Sequence, residues 1–363
     1  MKLKAKLFIT SLLAIPIATI ADASITLGGR LQADYLWVDE DVLEHRDGYE
    51  TRRARLYLSG NLDENFYYKA QYDFTGDGEW KDLYIGYSGF ENSYLQVGQI
   101  YEMVGLEGYT SSKNLTFIER SLPVAFVPDR ALGVSITHWI KSWMFAAGYY
   151  GQNLRNTSDD SNGFSARAAW SQQSENNVIH LGASFAQRSP DMNFYRVRTR
   201  PESHVTDTRL VDTGTLIDVE SYQTHGLEFA WVDGRYSLQS EYTQQAIERL
   251  QNSQLDISSW YVSGSYFLTH DSRNYSQKYG IFSTITPNEV SGAWELGVRY
   301  SEMDLNDGTL LGGQMKNWTL GLNYYLSKNS KLVLNYINSK ANKNGIEDNP
   351  KFLQLRYQYV FKL

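Results

Sequence analysis

Residues 351–363 read KFLQLRYQYVFKL, and this stretch decides the fold. Apolar side chains occupy every second position from Leu353 to Leu363, and mostly polar side chains alternate with them from Gln354 to Lys362. Alternation of this kind is typical of a strand with one dry face and one wet face. An outer-membrane β-barrel requires it, because the outward face meets lipid and the inward face meets water.

The same alternation recurs upstream and predicts an all-β fold, a sixteen-stranded antiparallel transmembrane β-barrel. Sixteen is an even number, as bacterial barrels have. The predicted strands are 25–37, 54–62, 66–74, 83–87, 94–99, 134–139, 143–149, 164–170, 179–185, 227–231, 236–242, 260–268, 294–300, 318–324, 332–336 and the terminal strand. Three connections are long, namely 100–132, 187–223 and 269–292, and connections of that length are usually functional or disordered.

The N-terminus predicts export. Three lysines precede an apolar stretch from Leu7 to Ile20, and Ala21-Asp22-Ala23 forms a small-residue cleavage site. We interpret residues 1–23 as a signal peptide and 24–363 as one barrel domain; a membrane anchor is the alternative, but the run is short and contains Pro16. The expected location is the outer membrane of a Gram-negative bacterium. The 27 tyrosines suit the interfacial girdles of such a barrel.

Enzyme and metal motifs are absent. The chain has no cysteine, and its six histidines show no ligand spacing. It contains no nucleophile elbow, zinc-protease, phosphate-loop or dinucleotide motif. His138 or His225 could pair with a serine, as in a barrel hydrolase that acts on lipid, but no spacing favours this. We therefore expect no catalytic residues, no metal and no cofactor.

Arginines carry the main functional signal. Arg30, Arg53 and Arg55 fall on the inward phase of neighbouring strands, and on the lipid face each charge would cost roughly 2–4 kcal/mol near the midplane. They could form a cation cluster on the lumen wall. Alternatively they are ordinary lumen charges paired with Asp34, Asp73 and Asp82.

Two long connections add further candidates. Arg196, Arg198 and Arg200 alternate, which puts three guanidiniums on one face of an extended segment, and guanidinium presents a fork that fits phosphate oxygens. The alternative is a solvated loop, or one that grips lipopolysaccharide. The connection after the fifth strand offers a second candidate set for an anion-binding constriction: Ser111, Ser112, Lys113 and Arg120.

The chain resembles the phosphate-selective porin O/P family over nearly its whole mature length. The matching stretches are LGGRLQADY (27–35), RRARL (52–56), GLEGYTSSKNLTFIERSLP (105–123), NVIHLG (177–182), RVRTRP (196–201) and GAWELGVRY (292–300). The resemblance implies a homotrimer, a loop folded inward around Ser111, Ser112 and Arg120, and an arginine ladder that contains Arg196, Arg198 and Arg200. It also implies that Arg30 and Arg53 lie at or near the constriction.

Two positions depart from the family pattern. Phosphate-specific members have a lysine where this chain has Gly108, and tend to have an aromatic residue where it has Arg55. Anion preference is therefore implied more strongly than orthophosphate specificity. The prediction is a passive channel for phosphate, polyphosphate or other small anions, in contact with outer-membrane lipid and lipopolysaccharide and with no nucleic-acid partner. The alternatives are a general weakly selective porin, a barrel enzyme acting on lipid, or a plugged structural barrel.

Overall fold

Sixteen long antiparallel strands make up nearly all of the fold. The structure is a computed structural model that describes residues 23–155 and 160–363, so the predicted signal peptide lies outside it except for Ala23. The strands are β1 (Thr26–Asp39), β2 (Gly48–Asn61), β3 (Phe66–Asp73), β4 (Glu79–Tyr87), β5 (Ser93–Tyr101), β6 (Arg130–Ile140), β7 (Trp143–Tyr150), β8 (Asn162–Ser174), β9 (Asn177–Ser189), β10 (Val219–Asp233), β11 (Tyr236–Arg249), β12 (Leu255–Phe267), β13 (Ala293–Asp307), β14 (Leu310–Ser327), β15 (Ser330–Lys343) and β16 (Lys351–Lys362).

The sheet closes on itself. Each strand pairs with the next, and β16 pairs along its length with β1, from Gly28 opposite Lys362 to Asp39 opposite Lys351. A short extra strand, Ile346–Asp348, extends the pairing of β15. The predicted sixteen-stranded barrel is therefore confirmed.

Most strands are longer than the sequence pattern predicts. The predicted strand 227–231, for example, is part of β10, which spans Val219–Asp233. Period-two apolar residues mark only the lipid-facing band, whereas the strand ends project into polar surroundings and lose that signal.

The two faces of the barrel differ as the alternation predicts. Leu31 and Leu56 on the outward face are each 43% exposed, whereas the intervening Gln32 and Arg53 are 0% and 4% exposed. Such burial of polar side chains requires hydrogen-bonding partners. Those partners come from neighbouring strands and from the long connections.

Three long connections run over residues 102–129, 190–218 and 268–292. The first contains one helical turn, α1 (Leu106–Tyr109), and a 3₁₀ segment, Leu122–Phe126. The second contains the 3₁₀ segment Asp191–Asn193 and the paired short strands Arg198–Thr199 and Val211–Asp212, while the third contains Tyr275–Ser276 paired with Ile281–Phe282. No helix within 23–155 or 160–363 is long and apolar enough to cross a membrane.

Strand direction places the first two connections at one end of the barrel and the third at the other end. An apolar cluster joins the first two: Leu122 and Phe126 of 102–129 pack with Leu210 and Val211 of 190–218 and with barrel residues such as Ile257. The two segments thus form one packed unit at that end.

Candidate functional site

The segment 102–129 is anchored to polar side chains on the buried face of the sheet. On β11, the Glu241 carboxylate accepts the backbone N–H groups of Leu106 and Glu107 at 2.7 and 2.8 Å. Three further strands donate to backbone carbonyls of the segment: Asn323 to Thr116, Lys331 to Leu115 and Arg356 to Ile118. These contacts fix the backbone path of the segment against β11 and against three neighbouring strands, β14, β15 and β16.

Arg120 braces the segment from within. Its Nε donates to the Glu107 carbonyl at 3.0 Å and its Nη2 to the Thr110 carbonyl at 2.7 Å. The Glu107 carboxylate in turn accepts the backbone N–H and the hydroxyl of Ser121. No carboxylate oxygen among the described residues lies within 4.0 Å of the Arg120 guanidinium, so its charge is not neutralised by direct pairing.

A second group gathers around Arg30. Its Nη1 donates to the Ser112 hydroxyl at 2.9 Å and approaches the Ser111 hydroxyl at 3.4 Å. The structure thus brings together three residues that the sequence analysis singled out separately. Lys113 follows directly, and burial together with the nearby charge of Arg30 lowers the pKa of its ammonium group.

Gln32 connects this group to the next strand. Its amide donates to the Ser112 carbonyl, and its Oε1 accepts Arg53 Nη1 at 2.8 Å. Arg55 is different, because its Nε donates to Asp73 at 2.6 Å. The pairing with Asp73 that the sequence analysis kept as an alternative therefore describes Arg55, whereas Asp34 pairs with Arg356 and Asp82 with Lys69 and Arg130.

A β-bulge between β1 and β2 brings a further arginine to the face that carries Arg53. Gln32 pairs with Arg53, but the next residue of β1, Ala33, pairs with Thr51, so Arg52 is the surplus residue. Strict alternation would place Arg52 on the face opposite Arg53. The bulge instead lets both guanidiniums lie near the same carboxylate, that of Glu119.

Glu119 is surrounded by arginines. Arg52 donates to it through Nε at 2.8 Å and Nη2 at 3.2 Å, Arg356 donates at 2.7 Å, and Arg53 Nη1 lies 3.7 Å away. Burial alone would raise the pKa of Glu119, but the three guanidiniums outweigh it and hold that pKa well below its usual value.

The segment 190–218 supplies the opposite side of the site, and two contacts with the β1–β2 turn and β2 position it. Thr208 donates to the Glu44 carbonyl at 2.7 Å, and His204 Nδ1 lies 2.9 Å from the Glu50 carboxylate. Its arginines differ in their pairing. Arg196 pairs with Asp212 and Arg200 with Asp207, whereas the side chain of Arg198 has no carboxylate within 4.0 Å in the described structure.

The two segments and β2 line an open cavity of about 300 Å³. Six arginines line it: Arg52, Arg53, Arg120, Arg198, Arg200 and Arg209. Glu119, Glu202 and His204 are also in the wall. Of the predicted site residues, four line this cavity; those that do not are Arg30, Arg55, Ser111, Ser112, Lys113 and Arg196.

Sequence reasoning missed Arg52, Arg209 and His204. A signal existed for Arg52: on an unbroken strand its charge would face lipid at a cost of roughly 2–4 kcal/mol, which favours a bulge. Arg209 and His204 follow the alternating Arg196–Arg200 stretch in the same connection, where no period orients their side chains.

The arrangement lacks the parts of a metal or hydrolase site. No group of three or more His, Asp or Glu in the described part of the chain could hold a metal ion. His138 does pair with a serine, Ser93, at 2.8 Å, as one alternative required. However, no described carboxylate lies within 4.0 Å of His138 to orient it.

Comparison with known proteins decides the family. Residues 25–361 match the family model described as "Phosphate-selective porin O and P". The chain belongs to this family. It is 27% identical to Porin O of Pseudomonas aeruginosa over 94% of this chain and 90% of that protein, and 30% identical to an uncharacterized protein of Caulobacter vibrioides over 88% and 69%.

Solved porin structures share the fold of this phosphate-selective porin O and P family member. The DcaP outer-membrane channel of Acinetobacter baumannii matches with a TM-score of 0.62 at 12% identity, covering 94% of this chain and 98% of that one. An anion-selective porin from Comamonas acidovorans matches at 0.57 and 14% identity, covering 94% and 100%. The protein is a channel of the Gram-negative outer membrane and not an enzyme.

Proposed function

We propose that this porin passes anions by passive diffusion, with phosphate or polyphosphate as its preferred solute. The observation that carries the proposal is the cavity lined by six arginines. Three of them, Arg120, Arg198 and Arg209, have no carboxylate within 4.0 Å among the described residues, so their charge is available to a solute.

The chemistry of these groups suits a partly dehydrated oxyanion. Guanidinium donates two parallel hydrogen bonds to phosphate oxygens, and the Ser111 and Ser112 hydroxyls beside Arg30 offer neutral donors. Conduction requires binding that is strong enough to admit the ion and weak enough to release it. The segment 102–129, anchored across the buried face, is the constriction in this proposal.

A general, weakly selective porin is the second candidate, and a specific observation favours it. Many buried arginines are neutralised by carboxylates: Arg55 by Asp73, Arg167 by Glu228, Arg299 by Glu202 and Arg356 by Asp34. In that case the net field in the lumen would be small.

Planar-bilayer conductance separates the two candidates. We expect the reversal potential in a potassium chloride gradient to indicate chloride preference, and added phosphate to block the chloride current. A reversal potential near zero together with unblocked current would support the general porin instead.

The remaining parts of the proposal concern assembly. We propose a homotrimer in contact with outer-membrane lipid and lipopolysaccharide, exported by the signal peptide 1–23. One similar solved structure, OmpT of Vibrio cholerae, is described as a trimer form, with a TM-score of 0.55 at 11% identity and coverage of 94% of this chain and 100% of that one.

A further inference from the structure

The wall of the arginine cavity holds its own anion. The Glu119 carboxylate accepts both Arg52 Nε and Arg52 Nη2, at 2.8 and 3.2 Å, so it fills the guanidinium fork with two oxygens. A phosphate bound in bidentate geometry would accept hydrogen bonds from the same two nitrogens of Arg52. Glu119 therefore lies where a solute oxyanion would bind Arg52.

The accessible members of this group are Arg52 and Glu119. Their side chains are 18% and 14% exposed, and both line the cavity, whereas Arg356 is 2% exposed. Arg356 is also held by Asp34 through two hydrogen bonds of 2.6 Å. Arg52 is thus the arginine of this group whose carboxylate partner a solute anion could replace.

We propose that Glu119 is a tethered counter-anion that limits the anion affinity of the cavity. Its carboxylate occupies Arg52 until a solute oxyanion displaces it. The inference rests on the proposed anion-channel function, and it adds the residue that limits binding there.

The Arg52 guanidinium itself discriminates between anions by charge and shape. Chloride offers one point charge and cannot fill a two-pronged donor, whereas a phosphate dianion offers two oxygens and a second charge. Competition with Glu119 lowers the apparent affinity of every anion that must displace it by the same factor, so the preference for phosphate comes from the guanidinium fork of Arg52. This competition also prevents a cluster of cations from trapping the ion, which conduction requires.

The test is phosphate block of the chloride current in planar bilayers with Glu119→Gln. Removing one negative charge from a partly buried site should lower the half-blocking phosphate concentration about tenfold. Glu202→Gln is the matched control. Glu202 lines the same cavity and carries the same charge, but Arg299, Ser301 and Thr319 hold it and Arg52 does not. We expect its half-blocking concentration to fall about twofold or less.

A double-mutant cycle with Arg52→Gln guards against a merely structural effect. In the parent, Arg52→Gln should weaken phosphate block about twofold, because Glu119 already occupies Arg52. In the Glu119→Gln background the same change should abolish most of the tenfold gain. Equal effects of Arg52→Gln in both backgrounds, or equal effects of the two glutamate variants, would overturn the tethered counter-anion. A parent channel without chloride preference or phosphate block would instead overturn the proposed function.

Discussion

At the scale of single residues, the cavity is lined both by arginines that pair with a carboxylate and by arginines that do not. Arg120 and Arg198 line the cavity without a carboxylate partner in the described structure, whereas Arg200 pairs with Asp207 at 3.0 Å. A charge within a narrow lumen is poorly screened, so the unpaired arginines should dominate the local potential. Selectivity should therefore follow the unpaired residues rather than the total number of arginines.

Arg120 contributes a positive charge to the cavity and also holds the backbone of 102–129 through two carbonyls, and substitutions can separate these two roles. Arg120→Glu changes the local charge by two units and should reduce chloride preference sharply, measured as reversal potential in a salt gradient. Arg120→Gln is the control, because it loses one charge and weakens the bonds to the Glu107 and Thr110 carbonyls. The glutamine variant should give an intermediate reversal potential. A parental value in Arg120→Glu would mean that Arg120 does not contribute to the pore potential.

Lys113 should make anion preference depend on pH. Burial and the charge of Arg30 lower its pKa, so the ammonium loses its proton at a lower pH than an ordinary lysine, whose pKa is about 10.4. Chloride preference should decline as the pH rises through that lowered pKa. Lys113→Arg should remove this decline, because guanidinium stays charged throughout. Identical reversal-potential profiles for parent and variant between pH 7 and 10 would contradict the role of Lys113.

At the scale of elements, the segment 190–218 carries arginines of unequal availability. Val197 is buried between Arg196 and Arg198, as the alternation predicts, but Arg196 pairs with Asp212 and does not line the cavity. Arg198 lines it without a carboxylate partner in the described structure. The segment therefore offers a matched pair for testing whether it attracts solute anions.

Arg198→Gln should reduce anion flux at low ionic strength, because an unpaired charge near the cavity raises the local anion concentration. The loss should shrink at 1 M salt, where the Debye length is about 3 Å. Arg196→Gln should have a smaller effect, since Arg196 does not line the cavity. Single-channel conductance over a range of salt concentrations checks both variants, and equal losses would contradict the distinction.

The strands also show which parts of the site could be predicted from the sequence. Period-two alternation placed Arg30, Arg53 and Arg55 on the buried face correctly, because a barrel strand has two chemically different sides. It could not place Arg52, because a bulge interrupts the period. It could not find the pairing of Arg356 with Asp34 either, since closure of the barrel brings together residues 322 positions apart.

At the scale of the whole molecule, segments from both ends of the barrel meet. The Asn114 side chain of 102–129 bonds two residues of 268–292. Its amide oxygen accepts the Thr284 hydroxyl at 3.1 Å, and its amide nitrogen donates to the Phe282 carbonyl at 3.4 Å. Arg167 on β8 also holds the Gly280 carbonyl at 2.7 Å. The connections are thus tied to one another as well as to the sheet, so a disturbance at one end should be transmitted to the other.

The whole molecule should assemble as three copies in detergent. We expect light scattering on the purified outer-membrane form to give three times the chain mass, and brief heating to release monomers before the barrel unfolds, because its strands form a closed hydrogen-bonded sheet. Refolded and membrane-extracted samples serve as mutual controls. A monomeric mass in both would exclude the trimer.

The surplus position of Arg52 has a consequence for how such a channel wall can change. Its neighbours Thr51 and Arg53 pair with consecutive residues of β1 and already face outward and inward respectively. Removing Arg52 would therefore leave every other side chain of the strand on its present side. Loss of this one codon would remove one positive charge from the channel wall and would require no compensating substitutions elsewhere in the strand. The charge of the channel wall can thus change through the loss of a residue from β2 as well as through substitution.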